Sequence, residues 1–209
     1  MPLYNVESII IRSRNAGEAD KIITVFSRNY GKISVIAKGA KRPTSKFGGR
    51  LEVFTYNQML LATAKTFDIL SQCETIESFF KIREDKDKLN AGAYILRLID
   101  ASTEERQRND QLFDLLLESL HYLEKGKDMN RLMRAFEVKF CLVEGFLPTD
   151  EILEKKYIRL PLVIDRLRGN YEEGNRELNE KDLAVSGKIL KELISDHIGK
   201  DVRRFRSVL

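Results

Sequence analysis

The chain has 209 residues, of which 43 % are hydrophobic and 33 % are charged, and its formal net charge is +4. This composition predicts one or two compact domains and argues against a disordered or fibrous protein. No apolar run approaches the roughly 18 residues that a membrane-spanning helix needs, and the first residues lack the pattern of a signal peptide, so we expect a cytoplasmic protein.

The positive charge is concentrated near the start of the chain. The first 80 residues contain eleven Lys/Arg and seven Asp/Glu, and this difference accounts for the whole net charge of +4. Between Asp20 and Glu52 there are eight basic residues and no acidic one. A positive field on one small region attracts polyanions, and nucleic acid is the expected partner.

Five short apolar stretches in the first 80 residues predict β-strands. They are rich in Ile, Val and aromatic residues, and they cover residues 8–14, 20–27, 33–39, 51–63 and 67–77. A small closed barrel is the expected arrangement, because closure removes the exposed edges of such strands. We predict a five-stranded OB-type barrel over residues 1–80, and an SH3-like barrel is the structural alternative.

After residue 80 the spacing of the apolar residues becomes helical. The stripe from Leu112 to Leu123 predicts a helix that stops at Gly126, and the stripe from Leu132 to Leu147 predicts the next one. A last helix is predicted from near residue 182 to near residue 199. Helices with one apolar stripe pack on one another, so we predict a helical bundle over residues 81–209 and an α+β fold class.

No motif for catalysis or metal binding is present. The Gly31-Lys32 pair lacks the first glycine of a nucleotide-binding P-loop, because Phe26 occupies that position. The two cysteines, Cys73 and Cys141, are too far apart in sequence to form a local ligand pair and are expected in the core. We therefore expect neither an enzyme nor a metal or cofactor site.

The basic segment between the third and fourth predicted strands is the strongest candidate site. Its cations can neutralise phosphates, and its glycines let a backbone approach a ligand. A solvated hairpin loop is the alternative, but like charges repel one another in a plain loop. The predicted phosphate-binding residues are Lys32, Lys38, Lys41, Arg42, Lys46 and Arg50. Four nearby aromatic residues are expected to be core residues rather than platforms for bases: Tyr30, Phe47, Phe54 and Tyr56.

Two further basic clusters lie in the helical half. Arg131 and Arg134 flank the apolar stripe of their predicted helix, and the C-terminal segment contains Arg203, Arg204 and Arg206. Basic residues that border apolar grooves can bind acidic peptides with a hydrophobic anchor. Ordinary charge on a helix surface is the alternative at both places.

Residues 17–54, "GEADKIITVFSRNYGKISVIAKGAKRPTSKFGGRLEVF", closely resemble the N-terminal region of the RecO family of bacterial recombination mediators. The segments "GEAD", "YGK", "AKGAKR" and "SKFGGRLE" occur in the family's order. Further on, "EGFLP" at residues 144–148 is similar to the segment before the family's zinc module, and "DVRRFRSVL" is similar to its C-terminal end.

The resemblance implies an OB domain and a helical domain that bind single- and double-stranded DNA and anneal complementary strands. It also implies partners, namely RecR and the C-terminal tail of single-stranded-DNA-binding protein, with which the family loads RecA onto DNA. A nucleoid-associated protein of the cytoplasm is then expected. The two basic clusters of the helical half are the predicted docking sites for the tail.

The chain departs from the family pattern after "GFLP". Many members have four zinc-binding cysteines there, whereas this chain has none, so the resemblance implies no zinc site. Apolar contacts are expected to replace the metal, from Ile152, Tyr157, Ile158, Leu160 and Leu162.

Two other functions use similar features. An RNA-binding OB protein has the same basic barrel and differs in selecting the 2′-hydroxyl. A nuclease needs clustered carboxylates for metal ions, and the acid-free basic segment argues against one.

Overall fold

A computed structural model describes residues 1–126, 128–147, 160–167 and 178–206. Its five strands are β1 Leu3–Ala16, β2 Asp20–Ser27, β3 Gly31–Ala37, β4 Thr55–Ala62 and β5 Asp68–Ser78. Hydrogen bonds join them in the order β1-β2-β3-β5-β4, and β4 pairs back to β1, so the sheet closes into a barrel. Only the short β3–β5 pairing is parallel. This Greek-key connection is that of an OB-type barrel, and the predicted α+β fold class is confirmed.

Alternate side chains of the strands point into the barrel, as the two-residue period of a strand requires. The buried residues of this interior are Val6, Ile10, Ile23, Val25, Ile33, Val35, Ala37, Met59, Leu61, Leu70 and Cys73, together with Phe47 and Leu51 from the β3–β4 connection.

The predicted fourth strand began four residues too early, at Leu51. β4 starts at Thr55, because Leu51 leaves the sheet to fill the barrel interior and Phe54 has a φ of 66°. The first strand is longer than predicted, because its N-terminal half, from Leu3, pairs with β4.

The helices of the described residues are α1 Phe80–Glu84, α2 Lys86–Ser102, α3 Asp110–Lys125, α4 Met129–Val143, α5 Leu160–Leu167 and α6 Glu180–Ile198, followed by a 3₁₀ helix, Val202–Arg206. The predicted stop at Gly126 is confirmed, since that residue caps α3. The last helix also ends where predicted, at a left-handed Gly199.

One apolar core joins the helices to the outside of the barrel. Ile9, Ile11 and Phe26 on the outer faces of β1 and β2 are buried in the same cluster as the leucines of α2 and α3. The rings of Phe26 and Phe113 lie 6.1 Å apart, centre to centre. The helical half is therefore packed directly on two strands of the barrel.

The segment between α2 and α3 is also fixed to the barrel. The Arg106 amide donates to the Lys32 carbonyl at 2.8 Å, and the Arg106 guanidinium donates to the Asp68 carboxylate at 2.5 Å. Asp68 also accepts a hydrogen bond from the Tyr4 hydroxyl. Burial alone would raise the pKa of Asp68, but these bonds, the Ala64 amide and the charge of Arg106 outweigh it and lower the pKa.

Both cysteines are free and buried, so their predicted place in the core is confirmed. Burial raises the pKa of the Cys73 thiol to about 11. Among the described residues, no three His, Cys, Asp or Glu side chains are grouped to hold a metal ion. None of the helices in the described ranges is long and apolar enough to cross a bilayer.

Two of the five residues expected to replace the zinc module lie within the described ranges. Leu160 is buried, whereas Leu162 is 49 % exposed and contributes no core contact of the expected kind. Ile152, Tyr157 and Ile158 lie outside the described residues.

Candidate nucleic-acid interface

Residues 38–54 connect β3 to β4 and contain five of the six predicted phosphate-binding residues; we call this segment the basic loop. Phe47 and Leu51 insert into the barrel interior, where each is only 3 % exposed. Phe54 is also fully buried, so the expectation that these aromatic rings belong to the core is confirmed for Phe47 and Phe54. The basic loop is therefore anchored by an apolar plug between its cations.

The first half of the basic loop rests on the β1–β2 turn. The Lys41 amide donates to the Ala19 carbonyl at 2.9 Å, and Lys41 Nζ donates to the Gly17 carbonyl at 3.3 Å. The Gly39 amide donates to Asp20 Oδ1 at 2.7 Å. These bonds place Lys38, Lys41 and Arg42 beside the hairpin.

The second half rests on β5. Lys46 Nζ donates to the Ser71 carbonyl at 2.7 Å and lies 5.3 Å from the centre of the Phe47 ring. Arg50 Nη1 donates to the Lys46 carbonyl at 2.7 Å. Backbone carbonyls thus orient these two cations without neutralising them.

The five cations of the basic loop keep their charge exposed. Lys38, Lys41, Arg42, Lys46 and Arg50 are all exposed, and within the described ranges none of them forms an ion pair with a carboxylate. The acid within the loop, Glu52, is paired with Lys21 at 2.8 Å. The result is an exposed cationic surface at the mouth of the barrel, suited to a phosphate backbone.

Lys32 lies apart from the other five. Its Nζ donates to the Asp100 carbonyl at 2.7 Å and lies 3.3 Å from Asp100 Oδ1, and its side chain is only 13 % exposed. Lys32 is therefore a contact between the barrel and α2, and we leave it out of the proposed interface. Sequence reasoning could not detect a partner 68 positions away in the chain.

The outer face of β2 and β3, which OB domains often use for oligonucleotides, is partly covered here by the helical half. Lys32 contacts Asp100, the Ser34 hydroxyl donates to Glu105 at 2.6 Å, and Phe26 packs on Phe113. These contacts limit access to this face, whereas the basic loop and the β1–β2 turn are largely exposed. Arg14 lies near the end of β1, close to that turn. Its side chain is exposed, but it is not among the phosphate-binding residues predicted from the sequence.

The structure brings three of the predicted partner-binding arginines to one groove. Arg131, Arg134 and Arg203 line a cavity of about 870 Å³ between α4 and α6. Arg131 is ion-paired with Asp128 at 3.1 Å, and Arg203 is ion-paired with Asp201 at 2.7 Å. The side chains of the other two predicted residues, Arg204 and Arg206, lie outside the described residues.

Arg134 is buried rather than displayed on the helix surface. Its guanidinium is 2.5 Å from Glu137, and Glu137 also accepts a hydrogen bond from the Tyr94 hydroxyl at 2.8 Å. Burial and the Glu137 carboxylate raise the pKa of Tyr94, which keeps the hydroxyl a donor. Arg134 therefore stabilises the bundle and offers little of its charge to a ligand.

A Greek-key barrel with a cationic loop at its mouth and helices on its side defines an OB-type protein with a polyanion-attracting surface. Family models give the particular assignment. Residues 1–79 match "Recombination protein O N terminal", and residues 83–149 match "Recombination protein O C terminal". The chain belongs to the RecO family, and the resemblance noted in the sequence is confirmed.

Curated relatives carry the name "DNA repair protein RecO". The protein from Pelotomaculum thermopropionicum is 39 % identical over 151 residues, which are 72 % of this chain and 59 % of the relative. The Symbiobacterium thermophilum protein is 41 % identical over 150 residues, 71 % of this chain and 59 % of the relative. The Halalkalibacterium halodurans protein is 40 % identical over 145 residues, which are 69 % of this chain and 57 % of the relative. The chain thus spans less than three fifths of the length of these relatives.

Proposed function

We propose that this chain acts in DNA repair and recombination as a non-enzymatic mediator that binds single- and double-stranded DNA through the basic loop. Family membership supports the role. The observation that carries the site is the set of five exposed cations without a carboxylate partner in the described residues. Lys38, Lys41, Arg42, Lys46 and Arg50 contact phosphates, while base pairing between the bound strands supplies the specificity.

Anchoring of the loop favours binding. Phe47 and Leu51 fix the backbone inside the barrel, and the Gly17 and Ser71 carbonyls accept hydrogen bonds from Nζ of Lys41 and Lys46. Less conformational entropy is then lost when DNA binds than for a free basic tail. Each phosphate contact releases condensed counterions, so affinity falls as salt rises.

A salt titration tests this interface. With five phosphate contacts, the logarithm of the affinity for single-stranded DNA should fall with the logarithm of salt with a slope of about −3.5. The triple variant Lys38→Ala/Lys41→Ala/Arg42→Ala retains two contacts, and a slope of about −1.4 is expected. Fluorescence anisotropy with a labelled oligonucleotide measures both slopes.

The matched control for this titration removes the same charge elsewhere. Lys81, Lys86 and Lys125 are exposed residues of the helical half, and their replacement by Ala should leave the slope near that of the wild type. Equal slopes for the loop triple variant and the wild type would reject the interface. Preferential competition by RNA of the same sequence would favour the RNA-binding alternative.

The proposed mediator brings two coated strands together and, with RecR, helps to load RecA onto DNA covered by single-stranded-DNA-binding protein. The helical half docks the acidic tail of that protein in the groove between α4 and α6. Arg131 and Arg203 supply two of the cations at this groove, beside Lys188 and Lys191, and Leu183 and Ala184 supply apolar contact.

A peptide titration tests the tail site. Charge reversal in Arg131→Glu/Arg203→Glu should weaken binding of a tail peptide by about tenfold, because charge-assisted bonds to carboxylates are lost. Arg108→Glu, at an exposed arginine paired with Asp110, is the control. Unchanged peptide affinity in the double variant would exclude the groove as the tail site.

A further inference from the structure

A second concave surface adjoins the basic loop. It is a cleft of about 450 Å³ between β1 and α2, and Glu52 and Val53 of the basic loop form part of its wall. Ile11 and Leu96, exposed by 3 % and 1 %, give it an apolar floor. A cleft of this size and character suits a flat, partly apolar group.

Arg12 presents its guanidinium in this cleft in a fixed orientation. Nε and Nη2 donate to Thr24 Oγ1 at 3.3 and 3.2 Å, and Nη1 lies 3.5 Å from Asp100 Oδ2. Hydrogen bonds of a guanidinium lie in its plane, so these partners engage its edges and leave its faces. The side chain is nevertheless 57 % exposed. An oriented, accessible guanidinium plane is a stacking surface for an unpaired base.

The charges around the cleft favour an anionic polymer beside the base. Glu52 is paired with Lys21, and Asp100 is paired with Arg12 and Lys32, so both carboxylates of the wall are neutralised. Arg14, also on the wall, is exposed and forms no ion pair with any described residue. Its cation extends the positive surface of the basic loop along β1.

We infer that the cleft between β1 and α2 binds one unstacked base of the DNA strand held by the basic loop, with the base on the Arg12 guanidinium and a neighbouring phosphate at Arg14. This inference rests on the proposed DNA-binding function and adds a base-binding subsite to it. Because every base has a π face, the subsite accepts all four bases and selects single-stranded over duplex DNA.

Strands with and without bases test the subsite. Wild-type affinity for a thymidine oligonucleotide is compared with that for a strand of the same length in which every base is replaced by an abasic residue. Loss of one stacking contact should weaken binding by about tenfold. In Arg12→Lys the charge is kept but the plane is lost, so the preference for the base-containing strand should shrink to about twofold.

Control variants separate stacking from charge and folding. Arg12→Lys should bind the abasic strand as the wild type does, which shows that its fold and phosphate contacts are intact. Arg108→Lys, a conservative change at an exposed arginine distant in sequence from the cleft, should keep the full tenfold preference. Arg14→Ala should weaken the binding of both strands by the same factor. Crosslinking of wild-type protein to a strand with photoreactive thymidine should label residues 11–14 or 53, independently of any variant.

Two results would overturn the subsite and leave the proposed function standing. They are equal, salt-dependent affinity of the wild type for the two strands, and an undiminished base preference in Arg12→Lys with crosslinks elsewhere. Salt-independent affinity for both strands would instead reject the DNA-binding function itself.

Discussion

Gly31 shows at the scale of one residue how closely the helical half fits the barrel. It has a φ of 66°, and a Cβ added there would lie 1.9 Å from the Gln107 carbonyl oxygen in the α2–α3 segment. Only glycine meets both demands, since other residues disfavour the left-handed region and would collide with this backbone.

A pair of glycine substitutions tests this fit. Gly17 has nearly the same φ, 61°, but nothing lies within 4 Å of a Cβ added there. Gly17→Ala should therefore lower the free energy of unfolding by about 1 kcal/mol, and Gly31→Ala by at least about 3 kcal/mol. Urea-induced unfolding measures both. Equal losses would show that the α2–α3 segment is not held against β3 as described.

Whether the pairing of a charged residue can be predicted from the sequence depends on how far along the chain its partner lies. The acid-free run from Lys21 to Arg50 is visible in the sequence, because the absence of nearby carboxylates is a local property. The pairing of Lys32 with Asp100 is not, because the fold alone brings them together. Arg134 gave a weak local signal, since Glu137 stands three positions later, at helical pairing distance.

At the scale of elements, the basic loop acts as an end plug of the barrel as well as a charged surface. Phe47 and Leu51 fill the barrel interior, while the neighbouring cations Lys46 and Arg50 remain exposed. The alternation of apolar residues from Leu51 predicted a strand, but the same pattern arises here because the loop buries Leu51 and then turns at Phe54. The spacing of the apolar residues alone cannot distinguish a strand from a loop that buries one of them.

Replacement of the plug tests whether it positions the cations. Phe47→Ala should lower the free energy of unfolding by about 3 kcal/mol through loss of buried contacts. DNA affinity should fall several-fold although no charge changes, because the loop must then be ordered on binding. Phe47→Leu, which keeps an apolar plug, should retain most of the affinity. Wild-type DNA affinity in folded Phe47→Ala protein would show that the plug does not position the cations for binding.

At the scale of the whole molecule, the helices cover part of the outer surface of the barrel. Their periodicity predicted the bundle and the ends of α3 and α6. It could not predict that they cover the outer face of β2 and β3, because that depends on how two halves with separate patterns pack. The basic loop, Arg14 and the cleft beside α2 remain accessible next to the helices.

Annealing of complementary oligonucleotides coated with single-stranded-DNA-binding protein tests the central claim most directly. The wild type and the Lys81/Lys86/Lys125 to Ala control should accelerate annealing equally. The Lys38/Lys41/Arg42 to Ala variant should lose most of the acceleration, because it no longer holds the phosphate backbones of the two strands. Annealing by this folded loop variant at the wild-type rate would contradict the assignment of the basic loop as the DNA-binding surface.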